Sequence, residues 1–143
     1  MKPEDCILTP KIGVGPIRFG HPIESLKNVE GFEKVEPDEW SADYEWYECV
    51  GCDLDVYGDG NGKIETIGCD ETLIFDGKNL VGITLSELEG FLKLKGQRFS
   101  DGDEMSDGSI VTGYIFEPLG LRAWVTEEER VESIAADDGD YED

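Results

Sequence analysis

Two stretches of the sequence correspond to one another, and this correspondence is the strongest constraint on what the chain can fold into. Residues 63–67 read Lys-Ile-Glu-Thr-Ile and residues 130–134 read Arg-Val-Glu-Ser-Ile, so the two segments agree in character at every position. Phe19-Gly20 in the first half and Val81-Gly82 in the second half each precede a short helical pattern. Because self-similarity at a near-constant spacing indicates a repeated structural unit, we predict that the chain contains two such units.

Each half begins with a segment that favours a short helix. In the first half this segment is 22–28, where Pro22 occupies the first turn, a position that tolerates proline. In the second half Thr84 is followed three residues later by Glu87, which is the pattern of a capping box at a helix start. The apolar side chains that come next fall on one helical face. Gly96 is the predicted end of this second helix.

Alternation of apolar and acidic residues predicts strands after each helix. Leu54 and Val56 alternate with Asp53 and Asp55, which gives such a strand one apolar face and one negative face. The other strand-like segments are 43–50, 63–69, 110–116, 121–125 and 130–135, and 72–75 is either a further strand or a link between the halves. A helix followed by a run of strands indicates an α+β fold with a mostly antiparallel sheet.

We therefore predict an α+β fold in which two tandem helix-plus-antiparallel-strand units form one sheet with helices on one face. The units span about 12–69 and 72–135 within a single domain, 1–136. Residues 137–143 are predicted to be a disordered acidic tail, because they carry five carboxylates and almost no apolar residues.

Acidic residues dominate the charge of the chain. There are 34 Asp and Glu against 12 Lys and Arg, for a formal net charge of −22. The predicted tail contributes only five of these carboxylates, so the folded domain is itself acidic. Nucleic acid and anionic membranes would be repelled, whereas a basic protein surface would be attracted. Solubility alone and adaptation to high salt are the alternative explanations of the charge.

The cysteines leave several chemistries open. No signal peptide and no apolar stretch of roughly 18 residues is visible, so we predict a cytoplasmic protein, where thiols stay reduced. Cys49 and Cys52 have CxxC spacing, which suits half of a zinc site or a redox pair, and Cys6 and Cys69 are isolated in sequence. Reduced core thiols are the third alternative. No catalytic triad or phosphate loop can be assembled, so we predict no enzyme activity and no cofactor.

Two segments have the composition of a protein-binding surface. Aromatic residues supply anchor area at interfaces, and the acids around them select a basic partner. The first segment interleaves the two residue types between 36 and 48, and the second is an acidic loop at the matching place in the second half. The predicted partner-binding residues are Asp38, Glu39, Trp40, Asp43, Tyr44, Trp46, Asp101, Asp103 and Glu104.

The opening segment supports a resemblance to known families. Residues 12–20 read Ile-Gly-Val-Gly-Pro-Ile-Arg-Phe-Gly ahead of a short helix, which resembles an opening found in many small bacterial proteins. Those proteins usually have Met at the position of His21. With the predicted repeat, the chain resembles the tandem-repeat architecture of beta-lactamase inhibitory protein. It also resembles the immunity proteins of bacterial polymorphic toxin and contact-dependent growth inhibition systems, which are small, acidic and cytosolic.

The resemblance implies a function by occlusion. An immunity protein of this kind would bind as a monomer to a cognate nuclease toxin and cover its basic active-site cleft with an acidic surface. Two alternatives stay open. The chain is an acidic adaptor or regulator of another basic protein, or it is a zinc- or thiol-dependent protein that uses Cys49 and Cys52.

Overall fold

Strands dominate the structure. A computed structural model describes residues 1–36, 45–100, 102–104 and 108–139. Of the described residues, 44% are in strand and 16% are helical, and there is one α-helix among them. The prediction of an α+β fold, with tandem helix-plus-strand units and helices on one face, is therefore wrong. The physical reason lies in helix length, because the segment Ile23–Asn28 forms only a 3₁₀-helix and the α-helix has eight residues.

The elements follow one another with short connections. The α-helix α1 spans Leu85–Leu92, and 3₁₀-helices span Pro3–Asp5, Ile23–Asn28 and Glu117–Leu119. The strands are β1 (Leu8–Thr9), β2 (Gly13–Val14), β3 (Ile17–Arg18), β4 (Phe32–Lys34), β5 (Trp46–Cys49), β6 (Leu54–Gly58), β7 (Ile64–Cys69), β8 (Ile74–Phe75), β9 (Lys78–Asn79), β10 (Gln97–Arg98), β11 (Asp103–Glu104), β12 (Ile110–Phe116), β13 (Leu121–Thr126) and β14 (Val131–Ala136).

One long antiparallel sheet organises the fold. Its strand order is β10-β12-β13-β14-β7-β6-β5-β4, and β11 pairs with β12 beside β10. Four consecutive strands, β4 to β7, form one half, and β10 with β12 to β14 forms the other. The halves meet where β14 pairs with β7, with Ala135 opposite Gly68. The two corresponding sequence segments, 63–67 and 130–134, thus lie largely on the two central strands.

The helical segments are attached to these central strands by matching hydrogen bonds. The Gly20 amide donates to the Ile64 carbonyl at 2.8 Å, and the Gly82 amide donates to the Val131 carbonyl at the same distance. Both glycines have left-handed backbone conformations, with φ of 83° and 93°. A side chain at either position would be strained, which explains why a glycine precedes the helical segment in each half.

The core lies on one face of the long sheet. Tyr47, Leu54, Val56, Ile67 and Ile134 point to this side and are at most 1% exposed. Against them pack the small sheet β1–β3, the Ile23–Asn28 helix and α1. The alternation predicted for Leu54 and Val56 is therefore confirmed. The longest helix in the described part of the chain has eight residues. No helix in that part has both the length and the apolar character that a membrane span requires.

The start of α1 was predicted correctly and its end was not. The Glu87 amide donates to Thr84 Oγ1 at 3.1 Å, and the Thr84 amide donates to Glu87 Oε1 at 3.3 Å, which completes the capping box. The helix stops at Leu92 instead of Gly96, because Lys93 adopts a left-handed conformation with φ of 56°.

Two glycine substitutions should have opposite effects on stability. Gly90 lies within α1, and a methyl group added there meets no heavy atom of the described chain within 4 Å. Gly90→Ala should raise the free energy of unfolding by about 0.5–1 kcal/mol, since alanine loses less backbone entropy in a helix. At Gly96 the same methyl would lie 2.8 Å from Cζ of Phe116, so Gly96→Ala should be destabilising. Urea unfolding of both variants tests this, and equal effects would contradict it.

Candidate functional site

The second face of the long sheet carries a row of carboxylates. Residues opposite one another on neighbouring antiparallel strands share a face. Glu33 on β4 pairs with Glu48 on β5, and Glu48 pairs with Asp55 on β6. We call Glu33, Glu48 and Asp55 the acidic row. Like charges directly opposite one another destabilise a sheet, so local stability does not explain this arrangement.

Trp46 is fixed next to the acidic row. Its indole Nε1 donates a hydrogen bond to Asp55 Oδ1 at 2.9 Å. Its ring stacks on Tyr57, with ring centroids 5.7 Å apart and planes inclined by 24°. Trp46 and Tyr57 are also cross-strand partners on β5 and β6. Both rings are half-buried, so they present aromatic surface with little conformational freedom left to lose on binding.

A groove of about 290 Å³ lies beside these residues, in the middle of the second face. Its shape follows from the strand order. The two inner strands, β7 and β14, contribute small side chains, and the flanking strands β6 and β13 contribute Tyr57 and Trp124. We refer to it below as the groove. Its lining residues are Asp55, Tyr57, Thr66, Gly68, Cys69, Asp70, Trp124, Ser133, Ile134 and Ala135.

The second aromatic wall is held by its own contacts. Phe99 meets Trp124 edge to face, with ring centroids 6.2 Å apart and planes inclined by 84°. The Arg122 guanidinium lies over the Phe99 ring, 5.9 Å from its centroid. Phe99 in turn covers Gly113, where a side chain would collide with its ring. Trp124 is thus positioned before any ligand arrives.

The groove is negative. Asp55 and Asp70 line it, and none of its lining residues in the described chain is basic. Burial raises the pKa of the Asp70 carboxyl, and the nearby charges of Asp55 and Asp53 raise it further. An elevated pKa means that the ionised form of this carboxyl is disfavoured in the folded protein. Two carboxylates and two aromatic side chains therefore line the same groove, which is a lining that suits a cationic group.

Most of the predicted partner-binding residues cannot be placed against the groove. Asp38, Glu39, Trp40, Asp43, Tyr44 and Asp101 lie outside the described residues. Asp103 and Glu104 form β11, which pairs with β12 on the side away from β13. Of the predicted set, the structure brings Trp46 to the acidic row and leaves the exposed Glu104 at the sheet edge.

Sequence reasoning missed the groove residues Asp55, Tyr57, Asp70 and Trp124. A signal existed, since Asp55 and Tyr57 occupy the polar side of an alternating strand, and Trp124 does the same between Ala123 and Val125. The sequence does not reveal that these strands flank two others with small side chains, because that requires the pairing of β7 with β14.

The cysteines belong to the core. Cys6, Cys49, Cys52 and Cys69 are buried free thiols, and the Cys52 thiol donates to Cys49 Sγ at 2.8 Å. Burial raises the pKa of Cys6, Cys52 and Cys69, which disfavours the thiolate that metal binding and redox chemistry require. Within the described ranges, no group of three or more Cys, His, Asp or Glu side chains could hold a metal ion.

Comparisons with protein-family models, with curated proteins and with solved structures give no significant match. Fold and site together define the class of protein: a mostly β protein whose long sheet has a core on one face and an acidic, aromatic-walled groove on the other.

Removing the charge of Asp70 should stabilise the protein in a pH-dependent way. The folded-state pKa is raised above its ordinary value of 3.8, so the folded state binds the proton more tightly than the unfolded state. Near pH 7 the carboxylate is ionised in both states and destabilises the fold. As the pH falls through the raised pKa towards 3.8 the folded state becomes protonated and that destabilisation shrinks, and it disappears well below pH 3.8, where both states are protonated. Asp70→Asn should therefore raise the free energy of unfolding near pH 7, and the gain should shrink as the pH falls through the raised pKa.

The measurement is urea unfolding from pH 7 to pH 3.5. Glu127→Gln is the matched control, because Glu127 is exposed in the turn between β13 and β14 and its substitution changes the net charge equally. Equal gains from the two variants at pH 7 would show that only the overall negative charge matters.

Proposed function

We propose that this protein binds a basic protein through the second face of its sheet, and that it is an immunity protein that neutralises a nuclease toxin by covering the toxin's basic cleft. The observation that carries the proposal is the acidic row, in which three carboxylates stand in direct cross-strand register next to an aromatic groove. The net charge of −22 and the resemblance of the chain to small, acidic immunity proteins support it.

The acidic row gives a physical reason for binding a cation-rich surface. Neighbouring strands lie about 4.8 Å apart, so three carboxylates in register extend over roughly 10 Å. Repulsion between these carboxylates raises the energy of the unbound protein. The repulsion decreases when a partner places cations among them. This relief is available only in the complex, so it contributes directly to affinity for a basic partner.

The aromatic groove supplies the rest of the interface. A few anchored aromatic side chains usually provide most of the binding energy, while surrounding charges set rate and selectivity. Tyr57 and Trp46 are held by mutual stacking, and Trp124 is held by Phe99. Because these rings are ordered in advance, binding costs little conformational entropy.

Occlusion of a nuclease fits this surface in particular. A nuclease cleft is basic because it binds phosphates, and that charge attracts a strongly acidic protein over distances near the Debye length. Carboxylates on a rigid sheet can occupy the positions that phosphates would take. The protein then blocks substrate without any chemistry of its own.

Charge removal in the acidic row outside the groove tests the proposal. Glu33→Gln with Glu48→Gln should slow association with a purified nuclease toxin domain that the protein inhibits by about three- to tenfold at low salt, because steering depends on charge. The same pair should flatten the dependence of the rate on salt. Stopped-flow association at two ionic strengths measures this, and nuclease assays measure protection.

The matched control is Glu127→Gln with Glu128→Gln, which removes the same charge from an exposed turn. If the two double variants associate equally fast, the acidic row does not form the interface and the proposed binding face is wrong. If the chain binds a basic partner through the row but leaves nuclease activity intact, the immunity function is wrong and the role of a regulator replaces it.

A further inference from the structure

We propose that the groove is a pocket for one arginine side chain of the partner, with its guanidinium N–H groups on Asp55 and its flat side chain along the groove between the strands that carry Tyr57 and Trp124. The inference rests on the proposed function, because the arginine belongs to the basic partner. It goes further in naming the residue type that the groove selects.

The shape of the groove suits a flat cation. The inner strands contribute the small residues Gly68, Ser133 and Ala135, which form the bottom of the groove. The flanking strands contribute aromatic side chains. A volume of about 290 Å³ accommodates an extended side chain with a planar end. Cations over aromatic faces are attracted by the ring quadrupole, and arginine adds stacking because its guanidinium is planar.

The carboxylate at the groove is oriented before the ligand arrives. Trp46 Nε1 already binds Oδ1 of Asp55, which restricts rotation of the carboxylate. An ionised carboxylate accepts up to about four hydrogen bonds, so capacity remains for a guanidinium fork. A lysine ammonium could pair with the charge but could not make the two parallel bonds or stack a planar group on an aromatic ring.

Charge complementarity favours a cation at this place. Asp55 and Asp70 both line the groove, and their proximity helps to raise the pKa of Asp70. None of the described residues that line the groove is basic. A cation from outside would therefore add the positive charge that the groove's own lining residues lack.

Titration with two small cations tests the inference. N-acetyl-arginine amide and N-acetyl-lysine amide carry equal charge, and ionic strength is held constant. The arginine compound should shift the indole N–H resonances of Trp46 and Trp124 with an apparent Kd at least about fivefold lower than the lysine compound. The resonances are assigned with Trp46→Phe and Trp124→Phe. Equal shifts by both compounds, or no shift at Trp124, would overturn the inference.

A substitution that fills the groove with a larger apolar side chain tests whether the arginine compound binds there. Gly68 has no left-handed φ, and an added Cβ would lie 3.8 Å from Asp55 Cβ and 3.9 Å from Tyr57 Cε2, which are ordinary contacts. Gly68→Val should fold, since β-branched residues suit strands, and should abolish the arginine-specific shifts without changing the charge. Gly90→Ala, in α1, is the control that should leave the shifts unchanged. If the fully folded Gly68→Val protein still gives them, the groove is not the arginine site.

The two proposals fail separately. If the arginine compound does not bind the groove while Glu33→Gln with Glu48→Gln still slows toxin association, the arginine pocket is wrong and the acidic interface stands. If the arginine compound binds the groove but Glu33→Gln with Glu48→Gln does not change the rate of association with the toxin, the arginine pocket stands and the proposed function is wrong.

Discussion

The pairing of β14 with β7 is the contact on which the rest of the structure depends. It joins two sets of strands that are each formed locally, and it turns them into one sheet with a continuous core face. It also fixes which residues meet on the opposite face, because a slip of one residue would exchange the faces of every side chain on one half. The amides of Gly20 and Gly82 bind carbonyls of these two strands, so the helical segments take their positions from the same place.

The groove is a direct consequence of that pairing. Small side chains on the two central strands would contribute little in an ordinary sheet, and Gly68 weakens a strand interior. Flanked by Tyr57 on one side and Trp124 on the other, the same small residues become the floor of a cavity. The centre of the sheet therefore has fewer side-chain contacts on this face, and it has a concave surface between Tyr57 and Trp124 instead.

How much of this could be predicted from the sequence depends on the range of the interactions involved. Alternation located β6, β7 and β12 to β14, and the capping box located the start of α1, because these signals are local. The fold class was wrong because the segment after Pro22 forms only a short 3₁₀-helix and the one α-helix of the described chain has eight residues, so strands outweigh helices. The groove was missed for a different reason, since Trp124 and Asp55 come to line one groove only through the order of the strands.

The charge distribution is the remaining point at which local rules are broken. A sheet optimised for stability alone would alternate charges across its strands, yet Glu33, Glu48 and Asp55 stand opposite one another. Asp70 is likewise kept in a place where burial and neighbouring carboxylates disfavour its charge. Local conflicts of this kind are expected at functional sites, where stability is given up for binding. Here the conflicts lie in the groove and in the acidic row beside it, which is the face to which we assign the proposed interface.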